Sequence, residues 1–97
     1  MNYSFHRGAQ QDLALAVDFY QTHAAPAVAV RFINELDRVV QLLMVHPDFG
    51  TPTSEGRRTY PLKGFPYSVI YKAGGSHLKI TVVRHQNRKF EHGRDRH

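Results

Sequence analysis

The chain is short, basic and free of cysteine. Its 97 residues are enough for one domain with one core and too few for two. Hydrophobic residues form 41% of the sequence, so a packed interior is feasible, and without cysteine neither disulfides nor thiolate metal sites can form. No apolar stretch approaches the roughly 20 residues of a membrane-spanning helix. The N-terminus lacks the apolar region of a signal peptide, so we expect a cytoplasmic protein without a membrane partner.

Charge is distributed unevenly along the chain. Residues 1–49 carry a formal charge of −2, whereas residues 50–97 carry +7. Such asymmetry predicts a polyanionic or acidic partner for the second half. The alternative is a solvated basic surface with no particular partner.

The first half of the sequence predicts one short strand followed by two helices. Alternating side chains in residues 3–6 indicate the strand, and from Ala9 the apolar residues follow a helical period. Pro26 suits the first turn of the second helix, and Pro47 ends it. Two amphipathic helices joined by a short link predict an antiparallel hairpin. The second helix has an apolar stripe formed by Val28, Phe32, Leu36, Val39 and Leu43.

The second half of the sequence predicts a meander of strands. A polar loop, residues 48–56, precedes three segments rich in β-branched and aromatic residues, separated by turns. Residues 90–97 have no apolar period and predict a loose tail after a single domain, residues 1–89. The predicted fold is therefore α+β, in the order β-α-α-β-β-β, with a two-helix hairpin packed on a small, mostly antiparallel sheet. The three predicted strands comprise residues 57–62, 66–73 and 77–85.

Four segments together carry a resemblance to a known family. They resemble the RelE/ParE superfamily of small toxins from bacterial type II toxin–antitoxin modules, and the ParE-like members above all. Relatives often continue after the last segment with a Pro and an aromatic pair, where this chain has Lys89 to Gly93, so base stacking by such a pair is not expected here. The segments are "DLALAVDFY" (12–20), "AVRFINELDRVVQLLMVHPDFG" (29–50), "RRTYPLKGFPYSVIY" (57–71) and "VVRHQNRK" (82–89).

The resemblance implies a toxin that is neutralised by a cognate antitoxin and needs no cofactor. Its ParE-like character favours DNA gyrase as the target, bound without hydrolysis. One alternative is a metal-independent endoribonuclease that cleaves mRNA on the ribosome. Another is a basic nucleic-acid-binding module without toxin activity. The antitoxin is expected to dock along the helical hairpin and a sheet edge, and to cover part of the basic half.

Candidate site residues cluster around the end of the last strand. If the chain cleaves RNA, His85 is the titrating group, and Arg88 and Lys63 stabilise the developing phosphorane charge. In an antiparallel meander the turn at Lys63 lies at the same end as His85, and the start of strand 57–62 lies at the other end. The wider set that could bind the target or a phosphate comprises Arg57, Arg58, Lys63, Arg84 and Arg88.

Each of these residues also has a structural interpretation. His85 could cap the end of the sheet, and Arg84 and Arg88 could pair with an acidic antitoxin or with Asp12 or Asp18. The seven histidines are scattered along the chain without ligand spacing on one element, so no metal site is predicted.

Overall fold

The computed structural model describes residues 1–87 and 92–97, and its elements confirm the predicted fold class. β1 (Asn2–Phe5) leads into α1 (Arg7–His23) and α2 (Pro26–Val45), and β3 (Arg58–Pro61), β4 (Tyr67–Gly74) and β5 (His77–His85) follow. The predicted loop contains two further pieces, the short strand β2 (Thr51–Pro52) and a 3-10 turn, Ser54–Gly56. α1 begins two residues earlier than predicted because the His6 ring caps it, accepting a hydrogen bond from Gly8 N.

The five strands form one sheet in the order β1-β5-β4-β3-β2. β1 runs parallel to β5, and the other neighbours are antiparallel. The register of β1 against β5 ends at Phe5 opposite Ile80, so β5 continues beyond its neighbour towards His85. This extension brings the end of β5 alongside α1.

The core lies between α2 and one face of the sheet. Of the predicted stripe of α2, Phe32, Leu36, Val39 and Leu43 are buried, and Val28 is only partly buried. Val69 and Tyr71 of β4 face this core, whereas Ile70 between them faces the other side of the sheet. The helices therefore cover one face only. The residues of α1 that enter the core as fully buried side chains are small, Ala9 and Ala16.

Tyr71 ties the centre of the sheet to the loop after α2. Its side chain is completely buried, and its hydroxyl donates to Pro47 O at 2.7 Å and accepts from Gly50 N at 2.9 Å. Burial raises the pKa of the Tyr71 phenol. A Cβ on Gly50 would lie 2.5 Å from the Tyr71 hydroxyl, so only glycine lets the loop approach this closely.

Residues 92–97, the C-terminal segment, lie against the sheet face opposite the helices. A Cβ on Gly93 would collide with Val82, which pairs with Ile70 on that face, and Lys79 Nζ donates to His97 O at 2.8 Å. The sequence predicted a loose tail from residue 90. Within residues 92–97, side chains of the body bind this segment through polar contacts, which an apolar period does not reveal. Residues 88–91, which begin the predicted tail, lie outside the described residues.

Candidate functional site

His85 and the turn at Lys63 lie at the same end of the sheet. Tyr67 pairs with His85 across β4 and β5, and Gln86 N donates to Pro66 O at 2.9 Å. This arrangement follows the order of strands that the sequence predicted. Arg88, the third member of the predicted catalytic set, lies outside the described residues.

The His85 ring is held by two contacts that limit its chemistry. Its Nδ1 accepts a hydrogen bond from Asn87 N at 3.0 Å, and its ring meets that of Tyr67 edge to face, with centroids 5.0 Å apart. Because a backbone N–H can only donate, Nδ1 carries no proton in this geometry, and the neutral ring has its proton on Nε2. The nitrogen that could accept a proton is therefore already occupied.

Two carboxylates beside His85 and Lys63 are also engaged. Asp12 lines the same groove as His85, but its oxygens accept from Val83 N at 3.1 Å and from Arg96 Nη1 at 2.7 Å. Glu35 is bound by Arg38 at 2.7 and 2.8 Å and by the backbone N of Lys63 at 2.6 Å. The hydrogen bond from Arg38 holds the pKa of Glu35 below its usual value.

An apolar groove opens between the two helices and the turn before β4. Its volume is about 700 Å³, and Arg31 and His85 contribute polar groups to its lining. Two of its apolar side chains, Leu15 and Phe19 of α1, are 61% and 51% exposed. Exposed side chains of this size beside a groove are typical of a surface that receives an amphipathic helix. The remaining apolar lining includes Ala16, Tyr20, Val28, Phe65, Tyr67 and Val83.

Two arginines predicted to contact a target are instead engaged in holding the fold. Arg57 is only 4% exposed, and its guanidinium donates to the carbonyl oxygens of residues 93, 94 and 96 in the C-terminal segment. Arg58 Nη1 donates to Gly50 O at 2.8 Å and to Asp48 O at 3.2 Å. In this structure the Arg57 side chain satisfies backbone carbonyls, and its contact with a target stays a prediction.

The cationic residues at the end of β5 divide between the two faces of the sheet. His85 pairs with Tyr67 on the helix side, whereas Arg84 pairs with Ser68 on the other side, since successive side chains of a strand alternate. Arg84 there lines a small pocket together with Arg57 and residues of the C-terminal segment. Lys63 lies in a third place, a shallow groove beside Arg31 and Arg38. Arg84, His85 and Lys63 therefore occupy three different places.

Comparison with known proteins decides the family. The profile described as "ParE toxin of type II toxin-antitoxin system, parDE" matches residues 3–90. The chain belongs to this ParE toxin family. A solved structure titled "Chromosomal ParDE TA system from P. aeruginosa" is similar, with a TM-score of 0.76 and 24% identity over 88% of this chain and 95% of that chain. That likeness shows the fold, and no curated protein matches the sequence.

Membership of the ParE family confirms the predicted resemblance and the toxin–antitoxin context. It also supports an antitoxin as the partner. Within residues 1–87 and 92–97, no helix is long and apolar enough to cross a membrane.

Sequence analysis named Asp12 only as a possible partner of arginines at the end of the last strand and missed its role in organising this ParE-family chain. In the structure Asp12 lies in the second turn of α1, which begins at Arg7, and it is 8% exposed. A signal was present, because Asp12 is three residues after Ala9 and four before Ala16 and thus falls within the buried stripe. A charged residue in such a stripe predicts a buried partner.

Proposed function

We propose that this ParE-family toxin acts in the cytoplasm by binding DNA gyrase, and that a cognate antitoxin neutralises it. The observation that carries the preference for binding over RNA cleavage is the state of His85. Its Nδ1 is occupied by Asn87 N–H, so the ring offers a proton donor and no free base. The family match supports the same choice.

RNA cleavage would need a base for the ribose hydroxyl and an acid for the leaving oxygen. Asp12 lines the groove of His85 and Glu35 lies beside Lys63, and both carboxylates are already bound by arginine. To act as a base, His85 would first have to give up its hydrogen bond with Asn87 N. These contacts favour a toxin that works by occupying its target, although mRNA cleavage remains the competing function.

The mechanism is tested with His85→Ala in two assays, gyrase supercoiling and mRNA cleavage on translating ribosomes. We expect the chain to inhibit supercoiling. The concentration needed for inhibition should change less than about threefold in the variant, because one rim contact contributes little to a broad interface. His97→Ala is the matched control, since His97 is exposed and its described bond uses only its backbone oxygen.

The gyrase proposal would be overturned if the chain cleaved mRNA and His85→Ala lowered the rate of cleavage by about a hundredfold or more, while His97→Ala left it unchanged. That result would indicate general base catalysis. Binding of nucleic acid without any effect in either assay would favour the basic binding module. Arrest of bacterial growth by the chain alone, relieved by the product of the neighbouring gene, tests the toxin–antitoxin relationship itself.

The antitoxin is proposed to lay an amphipathic helix in the apolar groove of α1 and α2. Leu15 and Phe19 would become buried, and Arg31 and the overall charge of +5 would favour an acidic segment. A helix that fills the groove covers apolar surface that the free toxin leaves in water, and this burial supplies the affinity.

Phe19→Ala and Phe49→Ala form a matched pair for this docking proposal. The two rings are 51% and 53% exposed, and each stacks on a histidine, but only Phe19 lines the groove. We expect Phe19→Ala to weaken antitoxin binding by about 30-fold or more, as for a central interface aromatic, and Phe49→Ala to leave it unchanged. Equal effects of the two variants would contradict docking in the groove.

A further inference from the structure

The shallow groove that contains Lys63, here called the Lys63 groove, lies directly beside the apolar groove. Arg31, Gly64 and Phe65 line both of them, so the two grooves share a border. The volume of the Lys63 groove is about 410 Å³. A partner segment that fills the apolar groove therefore has a second place to bind within its reach.

The border between the two grooves is ordered by contacts with both helices. The Phe65 ring meets the rings of Tyr20 and Phe32 edge to face, with centroids 5.4 and 5.2 Å apart. On the other side of Gly64, the backbone N of Lys63 donates to the Glu35 carboxylate at 2.6 Å. These contacts fix the turn on α1 and α2. A surface that is already ordered loses less conformational entropy when a partner binds.

The Lys63 groove carries an excess of positive charge. Its described lining has three cations, Arg31, Arg38 and Lys63, against one carboxylate, Glu35, which gives a net charge of +2. Arg38 uses two nitrogens to bind both oxygens of Glu35, at 2.7 and 2.8 Å, so these two charges balance each other.

Arg31 and Lys63 are the two cations left over in this groove. The charge of Lys63 acts on Glu35 at longer range. Within residues 1–87 and 92–97, however, neither the Lys63 ammonium nor the Arg31 guanidinium forms an ion pair or a hydrogen bond. Both side chains are exposed. Two exposed cations on an ordered surface favour an acidic partner.

We propose that the Lys63 groove binds an acidic stretch of the antitoxin, next to the helix that fills the apolar groove. This inference rests on the proposed docking of the antitoxin, and it adds a second site and the composition of the segment bound there. That segment would combine an apolar helical face with Asp or Glu side chains that pair with Arg31 and Lys63. Carboxylates suit both cations, because a guanidinium can donate two parallel bonds and an ammonium one.

Occupation of the Lys63 groove would also contribute to neutralisation. Lys63 belongs to the set of residues that the sequence predicts to bind the target or a phosphate. An acidic stretch paired with Lys63 would compete directly with a target that uses this cation. The antitoxin would then mask part of the positive charge as well as the exposed apolar side chains.

Calorimetric titration of the full-length toxin with the product of the neighbouring gene tests this inference. The double variant Arg31→Gln, Lys63→Gln should weaken binding at least about tenfold, because two bonds between charged groups are lost. The double variant Arg7→Gln, Lys72→Gln is the matched control, since it also removes one exposed arginine and one exposed lysine but lies outside both grooves. It should change the affinity less than about twofold in roughly 0.15 M salt, which screens distant charges.

Carbodiimide cross-linking of the complex identifies the contact itself. The reagent joins a lysine amine to a carboxylate that touches it, and mass spectrometry of the digested complex locates the new bond. We expect Lys63 to be linked to an Asp or Glu of the antitoxin, whereas Lys72, an equally exposed lysine, should form no such link. Links at Lys72 without any at Lys63 would refute the site.

The outcomes separate this inference from the docking on which it rests. If Phe19→Ala weakens binding while the Arg31, Lys63 variant binds like the wild type, the helix docks in the apolar groove but the acidic contact is refuted. If neither change affects binding, docking in the grooves fails altogether. Equal weakening by the two double variants would indicate general charge attraction and would also refute the site. Loss of gyrase inhibition with unchanged antitoxin binding would assign the Lys63 groove to the target instead.

Discussion

The ion pair between Asp12 and Arg96 provides the sharpest test of how the C-terminal segment contributes to the fold. The side chains of Asp12 and Arg96 are 6% and 16% exposed, and Arg96 Nη1 lies 2.7 Å from Asp12 Oδ2 and 3.1 Å from Thr81 O. The change Arg96→Gln removes the charge that balances the carboxylate. Asp12 then keeps Val83 N and His92 Nε2 as partners, each at 3.1 Å.

The expected loss of stability follows from these contacts. Removing one partner of a buried ion pair costs about 3–5 kcal/mol, and the two remaining partners of Asp12 favour the lower end, about 3 kcal/mol. That is a large share of the roughly 5–15 kcal/mol that keeps a typical domain folded. For a domain of this size it corresponds to a fall in Tm on the order of 10–20 °C.

Urea unfolding and thermal melting of the full-length chain measure the effect, with Arg94→Gln as the matched control. Both arginines belong to the C-terminal segment, but the Arg94 side chain is exposed, so its loss should change stability by less than about 0.5 kcal/mol. Equal stability of the two variants would refute the ion pair. The double variant Asp12→Asn, Arg96→Gln no longer buries an unpaired charge. Its loss of stability should therefore be smaller than the sum of the losses in the two single variants.

Two further predictions concern the body of the fold. Tyr71→Phe should lower stability by about 1–3 kcal/mol, because two backbone groups lose the hydroxyl that they share, whereas Tyr3→Phe at an exposed site should change little. A destabilisation no larger than that of Tyr3→Phe in urea unfolding would contradict this. Because Arg38 lowers the pKa of Glu35, the stability from this pair is present above the ordinary value of 4.5 and is lost as pH falls through the lowered pKa. Glu35→Gln should therefore flatten the decline of the urea midpoint in this acidic range, and parallel profiles of the two proteins would refute the assignment.

The amino-acid sequence by itself determined the two helices, four of the five strands and their order. The spacing of Phe32, Leu36 and Leu43 predicts the buried face of α2, and Pro26 predicts where that helix begins, because periodicity and proline geometry are local properties. The strands after residue 57 were predictable for the same reason. The family could also be identified, because its pattern runs through nearly the whole chain.

Only the tertiary structure decided which side chains meet. Asp12 is followed by 83 residues before Arg96, and no local pattern joins them. The guanidinium of Arg57 donates to a carbonyl oxygen of the C-terminal segment, a contact that no local pattern announces. Arg84 and His85 are neighbours in sequence, but the alternation of a strand between two differently covered faces separates them. Contacts of this kind depend on long-range packing, and the sequence alone does not encode them in any local spacing.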